Sequence, residues 1–237
     1  MTLDRRKFLG LAGTSLSAAI LSGCNSRGPG AAERILRYAE RKNEIVERAL
    51  FSHSAIDAPP AGAKLAGNAL PGYFISRTVP VWDETERGKW HLEIGGMVDR
   101  PLRLSLEDLV AMPRSDKRVN LYCVEGWTAV AHWTGVRLRD LAALAGVQRG
   151  AEYVDFESFD SGYHESWDME SAMHPQTVVA YGLDGRFLSP TYGAPARVYS
   201  PVKLGYKNTK YLTRVMFLSN RTGGYWSDRG YEWYAGV

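Results

Sequence analysis

The sequence is expected to fold as an α+β domain, and three features point there. Six short segments carry the β-branched and aromatic enrichment of strands, against three with helical periodicity. The two kinds do not alternate regularly, and no glycine-rich phosphate loop opens a helix, so a doubly wound nucleotide-binding sheet is not indicated. The composition, 45% hydrophobic, 11% aromatic and 23% charged, is globular. It excludes a disordered chain, a collagen-like repeat and a disulfide scaffold. Arg5, Arg6 and Lys7 against Asp4 account for +2 of the formal +3 charge. The nearly neutral remainder argues against general nucleic-acid binding, which needs a broad basic face.

The chain opens on Asp4-Arg5-Arg6-Lys7-Phe8-Leu9-Gly10, followed by an apolar run from Leu11 to Leu21. Paired arginines before such a run have the pattern of a bacterial twin-arginine export signal, a route that carries folded and often cofactor-loaded proteins. Leu21-Ser22-Gly23-Cys24 then resembles a lipoprotein box. An acylated Cys24 would hold the protein on a membrane face. The organisation expected is therefore a signal over 1–23, a tether, amphipathic helix and loop over 24–72, and a main domain over 73–237. With Cys24 acylated, Cys123 is a lone thiol.

Residues 31–51 place Ile35, Tyr38, Ala39, Lys42, Ile45, Val46 and Ala49 near helical spacing, an amphipathic helix expected to dock on its own domain rather than to contact a membrane. Residues 57–72, rich in Pro and Gly, read as a loop. Trp90 to Ile94 alternates and stops at Gly95-Gly96, a strand. Ser105 and Asp108 resemble a capping box opening a short helix to about Met112. Val119 to Cys123 reads as a strand. Val136 to Ala145 reads as a helix, closed by Gly146. Tyr153–Phe159, Thr177–Tyr181, Ala196–Ser200 and Tyr211–Leu218 read as strands, and His174-Pro175 as a turn.

The charges are segregated. Residues 151–182 hold seven acidic residues and no Lys or Arg; residues 183–221 hold seven basic residues against Asp184 alone. The basic strip can form a local anion site, with Gly193 and Gly205 letting backbone amides approach, or it can pair with the acidic strip. The sequence leaves both open.

The run Tyr122-Cys123-Val124-Glu125-Gly126-Trp127 and the later Trp133-Thr134-Gly135-Val136 resemble the molybdopterin domain of the sulfite-oxidase superfamily. The branch containing periplasmic methionine-sulfoxide reductase catalytic subunits is the most similar. Further blocks follow in order: Tyr163 to Ser166, His174 to Thr177, Tyr192 to Arg197, and Pro201 to Lys207. The ending, Gly224-Tyr225-Trp226 through Trp233, is similar to that of members paired with a membrane cytochrome b. The resemblance implies a mixed-sheet molybdopterin-binding domain without the C-terminal dimerisation domain, hence a monomer. It implies a molybdenum–molybdopterin cofactor with Cys123 as the single protein ligand of the metal. A soft thiolate suits such a redox metal. Arg197 matches a cofactor-contacting position, as do Lys207, Asn208, Thr209 and Lys210. Ser158 stands where the family commonly has Thr, and Tyr192 where the reductases have Asn. Tyr73 to Arg77 occupies the early pterin-binding loop, where Phe74, Ser76 and Arg77 depart from the reductase version.

The activity implied is two-electron oxygen-atom transfer on an S-oxide or N-oxide, with reduction of an S-oxide such as methionine sulfoxide the leading direction. The resemblance implies a membrane b-type cytochrome as the electron donor or acceptor. Glu125 follows the cysteine where sulfite oxidases carry an arginine-bearing segment, so sulfite is not the expected substrate. His132 and His164 can line the pocket or be satisfied by local hydrogen bonds. Two other readings stay open on the residues alone: a thiol enzyme using Cys123 as nucleophile, and a lipid-anchored binding module without chemistry.

Overall fold

The computed structural model describes residues 30–50 and 54–237. The twin-arginine segment, Cys24 and the tether at 25–29 lie outside the described residues. The chain divides into two compact units after Glu47. The first contributes most of helix α1 (Gly30–Leu50) to the described residues. Ala, Glu, Arg and Leu favour this helix intrinsically, and Arg48 in its last turn complements the carbonyl end. Its apolar side chains, among them Ile35, Leu36 and Ile45, are exposed. Among the described residues, no helix is long and apolar enough to cross a membrane.

The second unit runs from Arg48 to Val237. The 54–72 loop belongs to it because Asp57 reaches into the sheet: its carboxylate accepts from the Asn120 amide N–H at 2.6 Å and from Tyr122 Oη at 3.1 Å. Two five-stranded sheets form the frame. One has the order β2 (Leu102–Ser105), β1 (His91–Gly96), β10 (Leu212–Leu218), β5 (Tyr153–Ser158), β6 (His164–Asp168). In it β1 and β10 are parallel and the other neighbours antiparallel, so the sheet is mixed. The second runs β3 (Ser115–Tyr122), β4 (Thr128–Arg137), β7 (Val178–Leu183), β8 (Arg186–Phe187), with β9 (Arg197–Tyr199) also on β7. Its pairings are all antiparallel. Among the described residues there is no further β-sandwich domain.

The second sheet is buried on both faces. Along β7, Val179 and Tyr181 enter one hydrophobic cluster with Leu92, Phe156, Trp167 and Phe217. Val178 and Ala180, pointing the other way, join Val119, Trp133 and Tyr199. That two-sided burial is why 178–183 reads as a continuous apolar run rather than an alternating one. Gly135 has a steric reason: a Cβ there would lie 2.1 Å from the Val179 carbonyl oxygen, where the β4–β7 register shifts.

Four short helices complete the unit: α2 (Glu84–Arg87), α3 (Leu106–Ala111), α4 (Leu138–Ala145) and α5 (Met169–Ala172). The capping box of α3 is formed: Asp108 N–H donates to Ser105 Oγ at 3.1 Å, and Ser105 N–H to the Asp108 carboxylate at 2.8 Å. Gly146 closes α4 in the left-handed region. The helix expected from Val136 starts at Leu138, because β4 runs through Arg137. Strand β4 was hidden by Ala129, Ala131 and Gly135, poor strand formers whose alternation the register shift interrupts. Strand β6, His-Glu-Ser-Trp-Asp, was hidden by its polarity.

Candidate functional site

The β3–β4 hairpin ends in a turn that presents Cys123. The Cys123 N–H donates to the Trp127 carbonyl at 3.0 Å, and Gly126 N–H donates to the Cys123 carbonyl at 3.0 Å. Gly126 has φ +86°, a conformation that favours glycine. The turn brings Glu125 beside the thiol, with Sγ 3.8 Å from the carboxylate. Trp127 Nε1 donates to the same carboxylate oxygen at 3.0 Å and Tyr73 Oη at 2.8 Å. These two bonds hold the Glu125 carboxyl below its ordinary range, so it stays ionised. Burial, and then the Glu125 charge, push the Cys123 thiol up.

Cys123 opens on a cavity of about 390 Å³, lined by the early loop, the Cys123 turn, the 205–211 loop and the C-terminal segment. Tyr73, Phe74, Ser158, Tyr192 and Arg197 line it together with Cys123. Asn208 and Lys210 do so as well. Ser76, Arg77, Lys207 and Thr209 are not part of the lining. Ser76 is bonded within the protein. Its N–H and hydroxyl, with the Ile75 N–H, donate to buried Asp160, which holds the early loop against the end of β5. Ser158 Oγ accepts from the Asp160 N–H at 2.9 Å. Arg77 is exposed.

The basic strip resolves into two populations. Lys203 pairs with Asp168 at 3.0 Å, Lys207 with Glu165 at 2.5 Å, and Arg214 with Glu157 at 2.9 Å. Arg197 and Lys210 form no ion pair with a described carboxylate. Arg197 is buried over the Trp133 ring at 4.9 Å, and its terminal nitrogens donate to the carbonyls of Tyr192 and Asn208. Its Nε has no partner. Lys210 donates to the Thr191 carbonyl at 2.9 Å. Burial, reinforced by Arg197, pulls its ammonium down to about 7. Two further buried hydroxyls close by in sequence, Thr209 Oγ1 and Tyr211 Oη, also lack partners. A group that is buried, polar and unpartnered is rare, and of these three Arg197 and Tyr211 line the cavity. Asn208, by contrast, is spent internally: its side chain bonds to Ser200 N–H and to the carbonyls of Lys203 and Leu204. The Gly193 amide donates to the Pro190 carbonyl, so it is not offered to an anion.

Sequence reasoning missed Tyr211, Asp160 and the aromatic wall made by Trp226, Tyr231 and Tyr206. Trp226 and Tyr231 pack at 4.9 Å, and Tyr206 and Tyr231 at 5.3 Å. The aromatic density after Gly224 was the available clue. Neither His132 nor His164 lines the cavity: His132 lies 3.5 Å from Asp116, and His164 Nδ1 lies 3.0 Å from Asp155. Among the described residues no cluster of three or more His, Cys, Asp or Glu could hold a metal ion by itself.

Residues 77–226 match the family described as the oxidoreductase molybdopterin binding domain. A putative protein-methionine-sulfoxide reductase subunit YedZ1 of Azospira oryzae is 34% identical over 234 residues, 98% of this chain and 87% of that protein. The protein-methionine-sulfoxide reductase catalytic subunit MsrP of Campylobacter jejuni is 31% identical over 197 residues, 73% of this chain and 66% of its own length. Among solved structures, the sulfane dehydrogenase SoxCD of Paracoccus pantotrophus superposes with a TM-score of 0.55 at 24% identity, over 60% of this chain and 40% of that one. That last likeness speaks to the fold alone.

Proposed function

The chain belongs to the oxidoreductase molybdopterin-binding domain family, and from that premise we propose that it reduces an S-oxide of the methionine sulfoxide type. The residues fit the cofactor that the family implies. Arg197 Nε and Tyr211 Oη are buried donors at the cavity awaiting an acceptor, and Arg197 and Lys210 are basic groups there with no described carboxylate as counter-ion. A pterin phosphate meets both needs, through charge-assisted bonds to guanidinium and ammonium. Cys123 is the one thiol at the cavity among the described residues, and in this reading it is the protein ligand of molybdenum. When bound, the cofactor supplies two-electron oxygen-atom transfer; the protein binds and orients.

The observation that carries the substrate reading is the pairing of an aromatic wall with a pinned carboxylate. Trp226, Tyr231, Trp127 and Tyr73 line the cavity, and aromatic rings make favourable contacts with sulfur. Glu125, kept ionised beside Cys123, disfavours an anion such as sulfite and admits a neutral sulfoxide. Overall, two electrons and two protons convert the S–O group to a thioether and water. The thiol-enzyme alternative needs a stabilised thiolate, whereas burial and Glu125 both favour the protonated Cys123.

The names of the relatives support the methionine-sulfoxide direction, and the 224–233 ending supports a membrane b-type cytochrome as electron donor. The twin-arginine pair and Cys24 support export and lipid anchoring outside the cytoplasm, with the protein acting as a monomer. Molybdenum-edge X-ray absorption of the loaded protein is the test. It is expected to show a side-chain thiolate in the metal shell, and Cys123→Ser to lose that sulfur together with turnover on dye-reduced S-oxide substrates. An unchanged shell and unchanged turnover in Cys123→Ser would overturn the assignment.

A further inference from the structure

Helix α1 leaves its apolar face in water. Ile35, Tyr38, Ile45 and Val46 recur at the spacing of one helix face and are 68%, 58%, 60% and 54% exposed. Ala39 and Ala49 lie on the same face and are also exposed. Aliphatic and aromatic side chains left this open forgo the free energy that burial would give them. Arg34 and Arg41, both exposed, fall on one border of the stripe by their helical spacing. Lys42 falls within the stripe, its ammonium 5.4 Å from the Tyr38 ring centre. Long basic side chains so placed can lay their stems on an apolar surface and lift their charges to its edge. A helix with a polar face, an apolar face and a basic border has the make-up of one that lies in a membrane interface.

The chain before the helix bears on the choice of occupant for this face. Only residues 25–29 separate Cys24 from Gly30, the start of α1. At about 3.3–3.6 Å per residue, an acylated Cys24 would keep the start of the helix within roughly 20 Å of the lipid. We propose that the Ile35–Val46 face of α1 docks on an anionic phospholipid surface, as a second attachment beside the lipid on Cys24. The choice of occupant rests on the lipid-anchor reading above; the surface property itself does not, so the two can fail separately.

The test uses the chain from residue 24 onward with Cys24→Ser, which cannot be acylated. It is sedimented with vesicles of phosphatidylethanolamine and phosphatidylglycerol. This protein is expected to co-sediment. Adding Ile35→Glu, Ile45→Glu and Val46→Glu is expected to weaken vesicle partition by roughly tenfold or more. Leu at the same three positions is expected to keep it. The positions are exposed, and far-UV circular dichroism with S-oxide turnover reports whether each variant is folded. A Cys24→Ser chain that stays in the supernatant at lipid excess would overturn the proposal, as would equal partition of the Glu and Leu variants. A dimer in sedimentation velocity that the Glu variant abolishes would also overturn it, since a second copy would then cover the face. Mass spectrometry of Cys24 in the native protein tests the lipid anchor on its own.

Discussion

Two pairs of basic residues, three of the four buried, lie close together in the sequence and meet opposite fates. Lys203 and Lys207 are fully buried, and each sits on a carboxylate brought by β6, Asp168 and Glu165. Arg197 and Lys210 are held by carbonyls and an aromatic face, with no described carboxylate as counter-ion. The first pair is internally neutralised and closes the structure between β6 and the 203–207 loop. The second is a positive site held open on the cavity. The sequence-level question, anion site or acid–base strip, thus has both answers at once, separated by which lysine faces β6.

The comparison can be broken most severely at Lys207. Replacing it with Met strands Glu165, which is completely buried and also bonded by Trp226 N–H and Ser227. Removing one partner of such a pair costs about 3–5 kcal/mol. Urea unfolding of Lys207→Met should show a loss of that size, and Lys207→Met with Glu165→Leu should recover part of it. Arg197→Met tests the other half. It removes a charge that the protein does not itself neutralise, so stability without cofactor should change little. Retention of the cofactor phosphate should fall by roughly 10- to 100-fold, the value of a few charge-assisted bonds. Molybdenum content after dialysis reads this out. If stability falls and molybdenum does not, Arg197 belongs with the structural pair.

Acid sharpens the contrast. Burial works against the Asp168 carboxylate, but Lys203 and the α5 amide at Ser171 outweigh it and hold the group down to about 2. Because the folded value lies below the unfolded one, the stabilisation is complete above about pH 4 and is lost as pH falls toward 2, about 2 kcal/mol in all. Asp168→Asn should flatten that limb of the acid-unfolding profile. The smallest effect is expected at Arg214–Glu157, a pair of the same kind but 43% and 37% exposed at its two side chains. Arg214→Met should cost less than about 1 kcal/mol in the same urea assay.

Much of the site was legible because its chemistry is local. The Cys123 turn needs only Gly126 and the short spacing to Trp127. The 205–211 loop carries Asn208, Lys210 and Tyr211 within one stretch, although only the first two were recognised. Strands β1, β5, β7 and β10 were legible from their apolar pattern. What escaped depends on partners far along the chain. Glu165 in β6 is buried only because Lys207 arrives 42 residues later. The bond from Ser76 to Asp160 joins residues 84 positions apart. Tyr73 points at Glu125 across 52 residues.

The residues alone determined the class of fold, the thiol-bearing turn, the family resemblance and the amphipathic character of α1, because each is written in side chains a few positions apart. The tertiary structure decided which cations are spent and which stay available, which hydroxyls lack partners, and which rings wall the cavity. Charge neutralisation and burial are properties of neighbours in space, and those neighbours are chosen when the strands pair.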